Sequence, residues 1–416
     1  MFDLDKWQEI FLTIRKNKLR AALTAFGVFW GIFMLVILLG AGSGLENGVT
    51  SSFDITKNAV FVWSQRTSVP YKGLQPGRFI QLTNDDAYAI RNNVPDVDIL
   101  SARIRLTGNF SITREENNAN FTVYGDYPQF LKVKPLIIES GRFLNDLDME
   151  NKRKVAVIGS RVKEVLFPDG ENPVGKAIKI KGIHFKVIGV FNSKVKGQEG
   201  IEDVQTLYIP LTTLQVAFNR PNQIGWFSLI PKNGVRSAKI EKEVKTLLAE
   251  RHTVAPNDLR AFGSANVERE YQEIQTLFTG IRGFSWLVAI GTIFSGMVGV
   301  ANIMMIIVKE RTREIGVRKA MGATPFSIIS MILQESLFLT ALAGFIGLGC
   351  GIIVVEGINY LTTNFGLESE FFANPEIDPS TIASALIVIL LAGLMAGFFP
   401  GKRAARVNPV IALRAE

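Results

Sequence analysis

The chain has 416 residues, 47% of them hydrophobic and 20% charged, with a mean hydropathy of +0.21. That is too apolar for an ordinary soluble protein and too charged for one wholly embedded in lipid, so membrane spans and a soluble region must coexist. A net charge of +8 raises nucleic acid as a partner. Many basic residues lie beside apolar runs, where they act as topology signals, so no nucleic acid is expected. One cysteine, Cys350, excludes an internal disulfide framework, and two histidines, His184 and His252, exclude a histidine-rich metal site.

In residues 1–20, Leu4, Trp7, Phe11 and Ile14 recur at helical spacing with charges on the other side. This pattern predicts an amphipathic helix lying at the cytoplasmic interface; a buried flank of the membrane bundle is the other reading. Four stretches then lack charge for about 20 residues or more, the length needed to cross roughly 30 Å of hydrocarbon. They predict transmembrane helices over 21–45, 283–308, 324–355 (its charge-free part beginning at Ser336) and 379–401. The first is longer than the roughly 7–15 apolar residues of a signal core, so it reads as an uncleaved anchor.

Lysine and arginine cluster before the first span, between the second and third (Lys309 to Lys319), and in the tail 402–416. The loop 356–378 carries Glu356, Glu368, Glu370, Glu376 and Asp378 and no basic residue. Both termini and the 309–323 loop are therefore expected in the cytoplasm, and 46–282 outside it.

The 46–282 region reads as α+β. Strands are predicted at Ala59–Trp63, Ile99–Thr113, Asn120–Tyr124, Val155–Ile158, Ile178–Lys181, Phe185–Val190, Leu207–Ile209 and Trp226–Ile230. Helices are predicted from Thr83, where acidic residues fill the first turn, over Ser160–Phe167, and over Lys239–Arg251. From Val267 a helical pattern runs unbroken into the second span, as a stalk would.

Gly170-Glu171-Asn172-Pro173-Val174-Gly175-Lys176-Ala177 has the spacing of a phosphate-binding loop. Ala177 replaces the hydroxyl that would hold magnesium, and the following residues alternate like a strand rather than opening a helix. We read it as a structural turn. The 309–323 loop predicts a short charged helix in which Glu314 and Arg318 pair at i,i+4, Gly322 stops the helix, and Thr324-Pro325 opens the next. Charged, yet with Ile315, Val317 and Met321 left exposed, it suits docking onto a partner protein; a solvated connector is the other reading.

Small residues four apart (Gly27/Gly31, Gly40/Gly44, Ser295/Gly299, Gly347/Gly351, Gly393/Gly397) predict close helix packing or a dimer face. Glu335, at the border of the third span, either reaches the interface or forms a buried ion pair. The spans otherwise lack the polar lining that a solute path needs.

The segment Glu310 to Ala323 closely resembles the signature loop of MacB-like (FtsX-type) ABC transporter permeases. Pro400 to Arg406, with Asn408-Pro409 and Ala412 to Arg414, resembles that family's carboxyl-terminal signature. Gly141-Arg142-Phe143, Asn172 to Lys176 and Val187 to Val190 match its outer-domain pattern. The resemblance implies an α-helical membrane protein with four transmembrane helices plus an α+β extracytoplasmic domain of two subdomains, with an insert around 135–225.

It further implies that 309–323 is a coupling helix. Glu310, Arg311, Arg313, Glu314, Ile315, Gly316, Arg318, Lys319 and Gly322 would be the ATPase-coupling residues. No catalytic, cofactor or metal residue is expected in this chain, since ATP and magnesium would belong to the ATPase. With only about 20 residues before the first span, that ATPase is expected as a separate chain. A homodimer, or a heterodimer with a related permease, would pair with two such ATPases in the bilayer. Export through a periplasmic adaptor and outer-membrane channel is the expected use. A transducer that activates an outer partner such as a cell-wall hydrolase is the alternative.

Overall fold

The computed structural model describes residues 18–51, 55–168, 170–195, 197–364 and 372–414. The helix expected over 1–20, with Leu4, Trp7, Phe11 and Ile14, lies outside the described residues except for 18–20. The chain divides into two compact units, Met1–Val49 with Thr276–Glu416, and Thr50–Gln275. The first is helical and opens with α1 (Lys18–Ser51).

The second unit is α+β. Its first half holds β1 (Val60–Ser64), α2 (Asn84–Asn93), β2 (Val97–Arg105), β3 (Ile112–Arg114), β4 (Asn117–Ala119), β5 (Thr122–Asp126), α3 (Phe130–Val133) and β6 (Ile137–Gly141). Then come α4 (Asp146–Glu150), β7 (Val155–Gly159), α5 (Ser160–Leu166), β8 (Ala177–Ile180), β9 (Ile183–Asn192) and α6 (Gly197–Val204). The unit ends with β10 (Thr206–Pro210), α7 (Leu211–Ala217), β11 (Trp226–Pro231), α8 (Ser237–Arg251) and β12 (Phe262–Asn266). The strands order β12-β1-β11-β2-β5-β10-β7-β9-β8-β3-β4, with β6 on β9.

Local chemistry explains most of these elements. The apolar run of β7 is buried on both faces, as befits a strand paired in parallel with β9. β8 alternates, with Ile178 and Ile180 inward, and turns into β9 through Lys181 and Gly182, both at positive φ (+48° and +84°). That fixes the phosphate-loop look-alike: a strand follows it, and Lys176 is paired with Glu171, which also binds Arg114 at 2.7 Å. The strand expected over Ile99–Thr113 is in fact two, β2 and β3, because Gly108 breaks the run at φ +109°. At the start of α2, Asp86 accepts from the backbone N–H of Thr83 at 2.9 Å.

Three apolar clusters form on this sheet among the described residues. In one, Ile90 of α2 with Ile240, Val244 and Leu248 of α8 covers Val60, Leu100 and Phe227. In a second, Val162, Leu166 and Leu214 cover Val123, Ile158 and Val187. In a third, Phe130, Phe143 and Phe191 pack with Val157 and Tyr208. β2 links the first two, pairing with β11 up to Arg103 and with β5 from Ile104 onward. At that step Arg103 donates from Nε to Asp126 Oδ2 at 2.5 Å, with its guanidinium 3.6 Å from the Phe130 ring centre and 4.3 Å from that of Tyr124.

In the helical unit α9 (Val267–Glu310) is followed by α10 (Thr312–Ala320), α11 (Pro325–Asn364), α12 (Pro379–Ala405) and α13 (Pro409–Arg414). Four helices, α1, α9, α11 and α12, are long and apolar enough to cross a membrane among the described residues. α11 runs past the expected 355 to Asn364, because Glu356 ends the charge-free run without ending the helix. Asp378 caps α12, accepting from Ser380 N–H at 3.2 Å, with Pro379 first in the helix. Several of the expected glycine pairs pack within the chain: a β-carbon on Gly393 or Gly397 would strike Thr340 or Ser336 of α11, and one on Gly27 would lie 3.0 Å from Gly296 Cα.

Two carboxylates of the α+β unit give opposite pH signatures. Burial pushes Asp126 up to about 6 despite its pairing with Arg103. The folded chain therefore keeps that proton longer than the unfolded one, and stability should fall as pH rises from about 4 to about 6. For Asp86, burial is outweighed by hydrogen bonds from His252, Arg251 and Thr83, which hold it well below the usual range. Its contribution is present above the unfolded value of about 3.9 and is lost as pH falls below it. Thermal unfolding across pH 3–7 checks this. Asp126→Asn should remove the decline between 4 and 6, and Asp86→Asn should flatten the acid limb.

Candidate functional site: the elbow between the second and third spans

The elbow begins where α9 ends. Thr312 Oγ1 donates to the carbonyls of Val308 (3.0 Å) and Lys309 (2.8 Å), holding the turn into α10. At the other end Gly322, at φ +97°, lets its N–H reach the Lys319 carbonyl at 3.1 Å while Ala323 N–H reaches that of Arg318 at 3.0 Å. This two-bond closure is the usual way a helix stops on a left-handed glycine. Thr324 Oγ1 then accepts from Ser327 N–H at 3.2 Å, and Pro325 opens α11.

A chain of charges runs along the elbow. Arg311 Nη1 donates to Glu335 Oε1 at 2.7 Å, and Arg311 Nε lies 3.4 Å from Glu314 Oε2. Glu314 Oε1 in turn meets Arg318 Nη2 at 2.8 Å, and the Arg318 guanidinium lies against Met331. Glu335 is 6% exposed, so of the two readings of this residue the buried ion pair is the one realised. A carboxylate so placed needs its cation, because desolvation without a partner costs several kcal/mol.

The expected coupling residues divide between two faces. Arg313, Val317 and Met321, four apart, are exposed; Met321 is 76% exposed, and Phe326 beyond it is 78% exposed. Glu310 is exposed too. Ile315 is not: at 1% exposure it packs with Val308, Ile328 and Ala404, contrary to the exposed role expected of it. Gly316 is buried against Ala412 of α13, and Lys319 reaches the end of α12. The reason is the tail. α13 was not legible as a helix in the sequence, and it covers the face that carries Ile315 and Gly316. Sequence reasoning also left Glu335 without a named partner; its signal was an acidic residue directly beside an apolar run on the side that carries the basic elbow. A groove of about 690 Å³ beside the elbow is lined by Arg318, Met321, Phe326, Met331, Gln334 and Glu335 among others.

Four long apolar helices, an α+β unit and a charged elbow held by a buried ion pair define a multispan membrane protein. Residues 21–247 match the family described as MacB-like periplasmic core domain, and residues 286–409 match FtsX-like permease C-terminal. The chain belongs to the MacB-like, FtsX-type permease family, whose members are proteins of the bacterial inner membrane.

Relatives include the Macrolide export ATP-binding/permease protein MacB of Rhodospirillum rubrum, 30% identical over 409 residues, which cover 97% of this chain and 59% of the relative. The protein of the same name from Syntrophobacter fumaroxidans is 27% identical, covering 100% and 64%. The chain thus spans about three-fifths of the length of these curated relatives. Among solved structures, the periplasmic region of MacB from Actinobacillus actinomycetemcomitans is similar at 22% identity and TM-score 0.43, covering 53% of this chain and 94% of that one. The extracellular domain of the noncanonic ABC-type transporter YknZ from Gram-positive bacteria is similar at 20% identity and TM-score 0.42, covering 50% and 100%.

If the Arg311–Glu335 pair anchors the elbow, Glu335→Ala should destabilise the chain by about 2–3 kcal/mol, because the Arg311 guanidinium, 15% exposed, loses that carboxylate and keeps the longer approach to Glu314. Glu314→Ala, at a more exposed position, should cost under about 1 kcal/mol. Thermal unfolding of the detergent-solubilised chain compares the two.

Proposed function

We propose that this chain is the permease subunit of an ABC transporter complex, which passes ATP-driven motion from a partner ATPase to the α+β unit to export or extract a substrate. The observation that carries the reading is the elbow: a short helix, fixed by a buried ion pair, presents Arg313, Val317, Met321 and Phe326 between two membrane helices. An exposed apolar and basic surface of this kind suits a protein partner.

In this reading Thr312–Ala320 docks into the ATPase, the termini and the elbow are cytoplasmic, and Thr50–Gln275 lies on the far side. The basic residues of 309–323 and the acidic loop 356–378 support that orientation. Hydrolysis of ATP with magnesium belongs to the partner ATPase, a separate chain, and this chain carries no catalytic or cofactor residue of its own. The phosphate-loop spacing around Lys176 forms a strand-flanking turn, which supports only that no ATP site lies there. The clusters around Phe227 and around Ile158 mark two subdomains, with an insert around 135–225 and the β2 step as their joint. The working unit pairs two permeases, identical or related, with two ATPases. An adaptor and outer channel complete an export route. The names of the relatives, macrolide export proteins, favour export over transduction.

Charge changes at the elbow test the docking reading. Glu314→Lys or Arg318→Glu should lower transport-coupled ATP turnover about tenfold, a loss of roughly 1.4 kcal/mol, while insertion is retained. The exchange Glu314→Arg with Arg318→Glu restores the helical pair yet reverses the surface, so it should stay uncoupled. Recovery in the exchanged protein would mean that the pair serves helix stability alone.

A further inference from the structure

We propose that Lys319, Gly316 and Ala412 form a clasp that positions the coupling helix, so that α10 moves with the end of α12 as one piece. The proposal rests on reading α10 as the docking element, and it concerns the face of that helix turned away from any partner.

The last turn of a helix leaves carbonyls without intrahelical donors, and a cation is favoured there by the helix dipole. α12 ends at Ala405, and the Lys319 ammonium donates to the Ala405 carbonyl at 2.9 Å and to that of Val407 at 2.8 Å. Lys319 thus caps a helix far away in sequence while belonging to α10. Lys319 and Gly316 are three apart and share a face. On that face a β-carbon at 316 would stand 2.6 Å from Ala412 Cβ, closer than side chains pack, so α13 can seat there only over glycine.

The tail is itself shaped for this seat. Asn408 Oδ1 accepts from Val410 N–H at 3.0 Å, starting α13 so that Ala412, 3% exposed, points at Gly316. Ala404 of α12 and Ile315 of α10 are buried together beside the clasp. An ammonium with two carbonyls fixes direction as well as distance, which an apolar contact alone does not. Lys319 is therefore a positioning residue: the exposed side of α10, with Arg313 and Val317, takes its orientation from it.

The test uses the full chain in a Cys350→Ser background, with spin labels at Arg313→Cys and Lys402→Cys, and separately the unlabelled chain with its copurified ATPase. Lys319→Met should broaden the label–label distance distribution and weaken ATPase binding roughly tenfold, in line with loss of a charge-assisted bond. Lys319→Arg, which can still donate to both carbonyls, should keep both properties. Gly316→Ala should broaden the distribution as well, and adding Ala412→Gly should narrow it again. An unchanged distribution in Lys319→Met, or no rescue by Lys319→Arg, overturns the clasp. Broadening without any loss of ATPase affinity overturns its role in positioning the docking face. If the unaltered chain binds no ATPase, the docking reading fails, and the spin labels still decide the clasp.

Discussion

The helical unit turns on one buried contact, Arg311 to Glu335. A carboxylate at the edge of an apolar bundle is tolerated only when a cation neutralises it. Glu335 has that cation in the residue that separates α9 from α10. The pair therefore fixes where along α11 the elbow sits. Arg311 also approaches Glu314, which holds Arg318, so the charged side of α10 inherits its placement from the same anchor. On the other side Ile315 and Gly316 are sealed by apolar packing and by the tail. The face that remains open is the one available to a partner.

The α+β unit uses a buried pair differently. Arg103 and Asp126 lie where β2 changes partner from β11 to β5, among the rings of Phe130, Tyr124 and Tyr208. Burial there works against ionisation of Asp126, so the pair adds little net stability. What it supplies is direction, because a guanidinium stacked on rings and bonded to one carboxylate holds few orientations. That suits a joint where the sheet's apolar clusters meet, with Phe130 and Tyr208 of the third cluster around the pair.

Much of this architecture was legible in the sequence, for identifiable reasons. The bilayer demands length and the exclusion of charge, so the spans showed in composition alone. Gly322 and Thr324-Pro325 punctuate the elbow by local backbone chemistry. The run Val155 to Ile158 showed a strand, and the structure adds that it is buried on both faces. β6, α6 and β12 were not legible: Phe262–Asn266, for instance, carries no alternating pattern and becomes a strand by pairing with β1. The site was legible in part. Glu314 and Arg318 are neighbours on one helix turn, which spacing reveals. The burial of Ile315 depends on a long-range fold, and the cover on Gly316 comes from Ala412, far along the chain, which no local pattern announces.

The claim most exposed to refutation is that the open face of the elbow touches an ATPase. A photoreactive amino acid in place of Met321, activated in native membranes, measures this directly because the position is 76% exposed beside the groove. Docking predicts an adduct whose partner is an ABC-type ATPase, enhanced when ATP hydrolysis is blocked. Adducts confined to lipid or to this chain itself would contradict it.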